Sequence, residues 1–326
     1  MTEYISEANY SAEMSQKVEP NWHSGTIGYF DGFDDSRLRY GHFGCNSPQK
    51  TIIIASGQSE YMERYKELVY DFNMRSYDVF IYDHRGQGGS DRVEGIQNST
   101  HVRDFTDYVK DLEIFVRDVV SEKAHGKPYL FAHSMGGAVA AGYLARNPNT
   151  VSRAILHAPM LGIIPPILTD TISKNVAKIL GQIPIIKNLR APGARKIPGP
   201  KSYLSLSLTH SEARFKYNYD FAANRPDMRI DVAAATFRLG AEAYKFLDHL
   251  FEAERIESIQ TPILILQAPD DNLVSNQAQE LFCERANNCT LTKITNGSEK
   301  VFHEAHFEVD PVRRTALDRC FQFLDS

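Results

Sequence analysis

The chain has 326 residues, 42% of them hydrophobic and 24% charged, which suits one large soluble globular domain with an insertion. A net charge of −5 argues against a nucleic-acid binder, and no apolar run is long enough to span a bilayer. The acidic N-terminus lacks the apolar stretch of a signal peptide. The four cysteines, Cys45, Cys283, Cys289 and Cys320, form no C-x-x-C pair. Unpaired thiols in a reduced, cytoplasmic chain are therefore expected, although the even count leaves disulfides open.

The first two dozen residues are polar and aperiodic, an expected surface arm. Short strands are expected at 26–30 and 38–43, with Asp31, Gly32, Asp34 and Asp35 as turn residues between them. Residues 51–55 form a β-branched run suited to a buried parallel strand, ending at Ser56-Gly57-Gln58. Tyr61, Tyr65, Leu68, Val69 and Phe72 then follow a helical spacing. The next strand, 79–82, ends in the glycine-rich loop 83–90. That loop lacks the lysine of a phosphate-binding loop and the spacing of a dinucleotide fingerprint, so a structural turn is expected. An amphipathic helix covers 104–123. Strands at 129–132 and 152–159 continue an alternation that argues for a mostly parallel sheet with helices on both faces.

The rhythm breaks at residue 160. From there to 243 the sequence is rich in prolines, contains helical pieces and has no strand-like run, as expected of a helical lid over the sheet. The alternation returns with a strand at 262–266, a helix at 276–286, a strand at 290–294 and a helix at 311–324. The expected organisation is an α/β core in two parts, 1–159 and 244–326, around a lid at 160–243.

The central motif is Ala132-His133-Ser134-Met135-Gly136, where a buried strand ends on a serine and runs into small residues. This is a variant, A-x-S-x-G, of the nucleophile elbow. Ser134 needs a base to take its proton, and the base needs a carboxylate. The order expected on such a sheet is Ser, acid, His. Asp270 and Asp271 follow one late strand, and His303 and His306 follow the last. Spacing alone chooses within neither pair. The oxyanion hole is expected from the N–H groups of Met135 and Gln58.

The segments 56–60, 83–90, 132–137, 158–160, 267–274 and 303–308 together resemble the α/β-hydrolases of the monoglyceride lipase and lysophospholipase group, and within it the bacterial lysophospholipases of the inner membrane. The resemblance implies the α/β-hydrolase fold. It selects Asp271, through a pattern like G-x-x-D-x-x-V, and His303, through a pattern like H-E-x-x-x-E. It departs from the broader group at Ser56, where a histidine is usual, and at Ala132, where many members carry glycine. The implied activity is release of a fatty acid from a lysophospholipid through Ser134, Asp271 and His303, with no metal or organic cofactor. Monoacylglycerol lipase, small-ester esterase and aminopeptidase activities remain alternatives on the same scaffold, as does a non-catalytic lipid-binding protein. Gly57, His133, Met160 and Leu161 are expected to contact the substrate.

The first half of the lid is apolar and basic at once. Met160, Leu161, Ile163, Ile164, Ile167 and Leu168 are followed by Lys174, Lys178, Lys187, Arg190, Arg195, Lys196 and Lys201, with Asp170 the one acidic residue between 160 and 201. Such a segment suits peripheral contact with an anionic membrane. It equally suits a helix covering the core, with lysines on its solvated face.

Overall fold

The computed structural model describes residues 4–92, 96, 99–165, 170–191, 195–196, 208–225, 232–233, 235–297 and 299–326. Eight strands form one sheet: β1 (Thr26–Asp31), β2 (Arg37–Phe43), β3 (Lys50–Ala55), β4 (Tyr77–Tyr82), β5 (Tyr129–His133), β6 (Ala154–His157), β7 (Ile263–Gln267) and β8 (Cys289–Lys293). Their order across the sheet is β1-β2-β4-β3-β5-β6-β7-β8. β2 pairs antiparallel with both β1 and β4, and all other pairings are parallel.

The continuous apolar runs of the central strands follow from burial on both sheet faces, since successive side chains point opposite ways. Ile53, Ala55, Phe80, Leu130, Ala132 and Leu156 face one core. There they meet α2 (Thr106–Ile114), α3 (Met135–Arg146) and α6 (Phe237–Leu250). Ile52, Ile54, Val79, Phe131, Ile155 and Leu266 face the other. That side is covered by α1 (Lys66–Asn73) and α8 (Asp310–Asp325). Between β6 and β7 lie α4 (Asp170–Leu180), α5 (Glu212–Ala223) and α6, and the chain passes through α7 (Asn276–Arg285) before β8.

Four sequence expectations change. The N-terminal arm is helical from Glu7 to His23, with a wider π-helical turn at Met14–Val18. It buries Tyr10, Met14, Val18 and Trp22, one residue in four, and Trp22 stacks on Phe43 at 4.1 Å. The buried Arg214 of α5 ties the arm down, donating to Ile5 O, Glu67 and Asp310. Second, Cys283 and Cys289 form a disulfide joining the end of α7 to β8, while Cys45 and Cys320 are free. Third, the inserted region contains a two-residue ladder, Arg195–Lys196 with Val232–Ala233. Fourth, residue 243 falls inside α6, so the boundary expected there cuts a helix. Ile167, Leu168 and Lys201 lie outside the described residues, as do the side chains of Asp170, Arg195 and Lys196.

Candidate active site

β5 delivers Ser134 at its carboxyl end, and α3 starts at the next residue. Ser134 has φ 52° and ψ −118°, a conformation that costs a non-glycine residue about 1–3 kcal/mol. The surroundings hold it there. Its N–H donates to His157 O at 3.1 Å, and its carbonyl accepts from Gly137 N–H at 2.9 Å and Met160 N–H at 2.8 Å. The small residues after it are required by contact. A Cβ on Gly136 would lie 2.3 Å from Ala55 O, and one on Gly137 would lie 2.5 Å from Pro159 Cβ.

The two ambiguous pairs separate in space. Asp271 Oδ2 accepts from His303 Nδ1 at 2.6 Å. Its Oδ1 accepts the N–H groups of Leu273 (2.8 Å) and Val274 (3.1 Å). Asp270 instead exchanges hydrogen bonds with Val301, its N–H donating to Val301 O and its carboxylate accepting Val301 N–H, which braces the loop leading to His303. His306 is fully buried and faces His133, His157 and Phe307. Burial opposes ionisation of Asp271, but the facing His303 and the hydrogen bonds outweigh it and hold the carboxyl below its usual range. Burial likewise disfavours the charged form of His303, but Asp271 raises its pKa above that of ordinary histidine. The His303 ring packs 4.8 Å from that of His133, which immediately precedes Ser134.

The turn after β3 is built on Glu60, whose place in Ser56-Gly57-Gln58-Ser59-Glu60 carried no role in the sequence reading. Its carboxylate accepts from Gly57 N–H, the Tyr65 hydroxyl and Arg64 Nη1 (3.0 Å), and it faces His133 Nδ1. Burial would keep this carboxyl neutral, but His133 and Arg64 hold it well below the carboxylate range. Arg64 also pairs with Glu304, next to His303. One buried network therefore ties the turn after β3, the end of β5 and the histidine loop together. Among the described residues, neither Gln58 N–H nor Met135 N–H has an acceptor within the protein.

The expected substrate contacts fare unequally. His133 is 1% exposed and its side chain turns toward Glu60, so it braces the site from behind rather than lining a cleft. Gly57 is buried, with its N–H committed to Glu60. Met160 and Leu161 follow β6 and are nearly buried against the core shared with α3 and α6. The glycine-rich loop folds back on Asp83, whose carboxylate accepts the N–H groups of Met62 and Gly89, both at 2.8 Å.

A strained serine between a buried strand and a small-residue helix, with an Asp–His pair on loops after later strands, belongs to the α/β-hydrolase fold. The chain is a member of that family: residues 46–310 match the model described as "Serine aminopeptidase, S33". Within the family it is a serine hydrolase of the lysophospholipase and monoglyceride lipase group. It is similar to lysophospholipase L2 of Escherichia coli (strain K12), 30% identical over 313 residues, covering 93% of this chain and 88% of that one. It is also similar to the probable lysophospholipase L2 of Haemophilus influenzae, 32% identical with 91% of each chain covered. Monoglyceride lipase of Homo sapiens is 28% identical, over 81% of this chain and 79% of its own length. Among solved structures, a soluble variant of the Saccharomyces cerevisiae monoglyceride lipase shares the fold, with a TM-score of 0.71 and 20% identity over 92% of this chain and 96% of that one. The fold and family expected from the sequence are borne out.

Proposed function

We propose that the protein hydrolyses the acyl ester of lysophospholipids by a two-step mechanism on Ser134. The observation that carries this reading is the Asp271–His303 pair, with three hydrogen bonds to the carboxylate, its His303 ring 4.8 Å from that of His133, the residue before the strained Ser134. His303 takes the hydroxyl proton as Ser134 attacks the ester carbonyl, and Asp271 fixes the tautomer and stabilises the imidazolium. The N–H groups of Gln58 and Met135 receive the oxyanion, aided by the dipole of α3. His303 then protonates the leaving alcohol. Water attacks the acyl-enzyme with His303 as base, releasing the fatty acid and restoring Ser134.

The lysophospholipase choice rests on the similarity to relatives bearing that name over nine-tenths of the chain. The inserted region supports a lipid substrate. Ile172, Val176 and Ile179 of α4, with Ile183, Ile185 and Leu189 beyond it, are exposed, Ile179 to 63% and Ile185 to 84%. This apolar stripe suits partial insertion into the interface of a membrane. Lys174 and Lys178, by contrast, pair with Asp248 of α6 and are partly neutralised. Among the described residues no helix is long and apolar enough to cross a membrane, and the contact proposed is peripheral.

The test is fatty-acid release from a lysophospholipid and a monoacylglycerol of equal chain length. Faster release from the lysophospholipid supports the reading. Preference for the monoacylglycerol makes the protein a monoacylglycerol lipase on the same machinery. Activity on neither, with hydrolysis of peptide substrates, transfers it to the aminopeptidases.

A further inference from the structure

Three histidines outside the proposed triad meet behind it. His133 ends β5, His157 ends β6, and His306 lies in the turn Ala305–Phe307 after His303. All are at most 1% exposed. One ring nitrogen from each lies within 4.8 Å of the other two. His133 Nε2, His157 Nδ1 and both nitrogens of His306 have no hydrogen-bond partner among the described residues. Leaving four such buried atoms without a protein partner is unfavourable, and native interiors rarely do so without a reason.

We propose that His133, His157 and His306 form a buried site for a divalent transition metal of the zinc class, directly behind the nucleophile turn. The donor set is the one such ions favour: three imidazole nitrogens, with a fourth position for water. The orientation of His133 agrees. Its Nδ1 lies 3.3 Å from Glu60 Oε1, so the carboxylate holds the proton on Nδ1 and leaves Nε2, which has no partner among the described residues, as the ring's acceptor. Phe131, Phe307 and Tyr65 pack around the rings, a largely aromatic shell that would help retain the ion. Around a tetrahedral ion the nitrogens stand about 3.3 Å apart, so each ring has to move by less than about 1 Å. No covalent chemistry is involved. The ion would clamp the ends of β5 and β6 to the loop carrying His303, positioning both partners of the proposed proton transfer.

The metal content of the full-length protein tests this. Protein expressed in zinc-supplemented medium is purified and analysed by plasma mass spectrometry beside His157→Phe and His306→Leu, apolar changes that suit the aromatic shell. Folding is checked by circular dichroism. The expected result is about one zinc per wild-type chain, falling roughly tenfold or more in either variant, because removing one of three ligands dismantles the site. Wild-type protein holding less than about a tenth of an equivalent, or zinc unchanged in the variants as it would be for surface histidines, overturns the proposal. Should neither variant fold, wild-type protein produced in cobalt medium decides. Visible bands of nitrogen-coordinated, low-coordinate cobalt support the site, and their absence overturns it.

Discussion

The backbone of the Ser134 turn is tightly hemmed in. A methyl group on Gly136 would strike the carbonyl of Ala55, and the backbone of the turn is hydrogen-bonded to His157, Met160 and Gly137. In α4 and the residues after it, large apolar side chains stand in solvent instead, and two lysines share one aspartate. The two functions proposed, ester hydrolysis and membrane contact, make different physical demands that explain the contrast. Proton transfer and oxyanion binding require atoms fixed to fractions of an ångström, so the reacting turn is over-determined by its neighbours. Contact with a fluid interface requires exposed apolar area and tolerates imprecision.

Ser134→Ala should lower turnover by about 10⁴-fold or more with the fold intact, since the attacking oxygen is lost and little else changes. Steady-state kinetics with circular dichroism reads both halves. Asp271→Asn should lower kcat/KM by roughly a thousandfold or more, because His303 loses the partner that sets its tautomer. The same variant carries a pH signature. His303 must be neutral to accept a proton, and its pKa is raised by Asp271 despite burial, so wild-type kcat/KM falls as pH drops through a value above that of free histidine. Without the carboxylate that acid limb should move to lower pH. Gly136→Ala should destabilise the protein by about 2–3 kcal/mol in urea unfolding, as the added carbon meets backbone that cannot yield. Ile179→Asp should weaken sedimentation with vesicles about tenfold, removing one inserted side chain. Lys178→Ala should cost about 0.5 kcal/mol or less of stability, because Lys174 still faces Asp248.

The same contrast explains what was legible in sequence. The Ser134 turn announces itself because steric crowding demands small residues next to the serine. The parallel strands do so because burial on both faces demands unbroken apolar runs. The order of Ser134, Asp271 and His303 follows from the strand ends that carry them. The N-terminal arm escaped notice because Tyr10, Met14, Val18 and Trp22 bury one residue in four, separated by polar residues, and part of that helix is a π-turn. Glu60 and Arg64 sit within or beside a quoted motif, but their roles depend on His133 and Glu304, distant in sequence. The His133–His157–His306 cluster has no sequence spacing at all, since the fold assembles it from two strand ends and a turn. The Cys283–Cys289 disulfide depends on the bend between α7 and β8, which the count of cysteines does not encode.

Every catalytic step proposed runs through Ser134 as an activated nucleophile. Its most direct test is labelling with a fluorophosphonate, followed by peptide mass spectrometry, in wild-type protein, Ser134→Ala and His303→Ala. The account predicts one adduct per chain on Ser134, none on Ser134→Ala, and labelling slowed by about a hundredfold or more in His303→Ala. Folded wild-type protein that takes up no label, or takes it up on another residue, would contradict it.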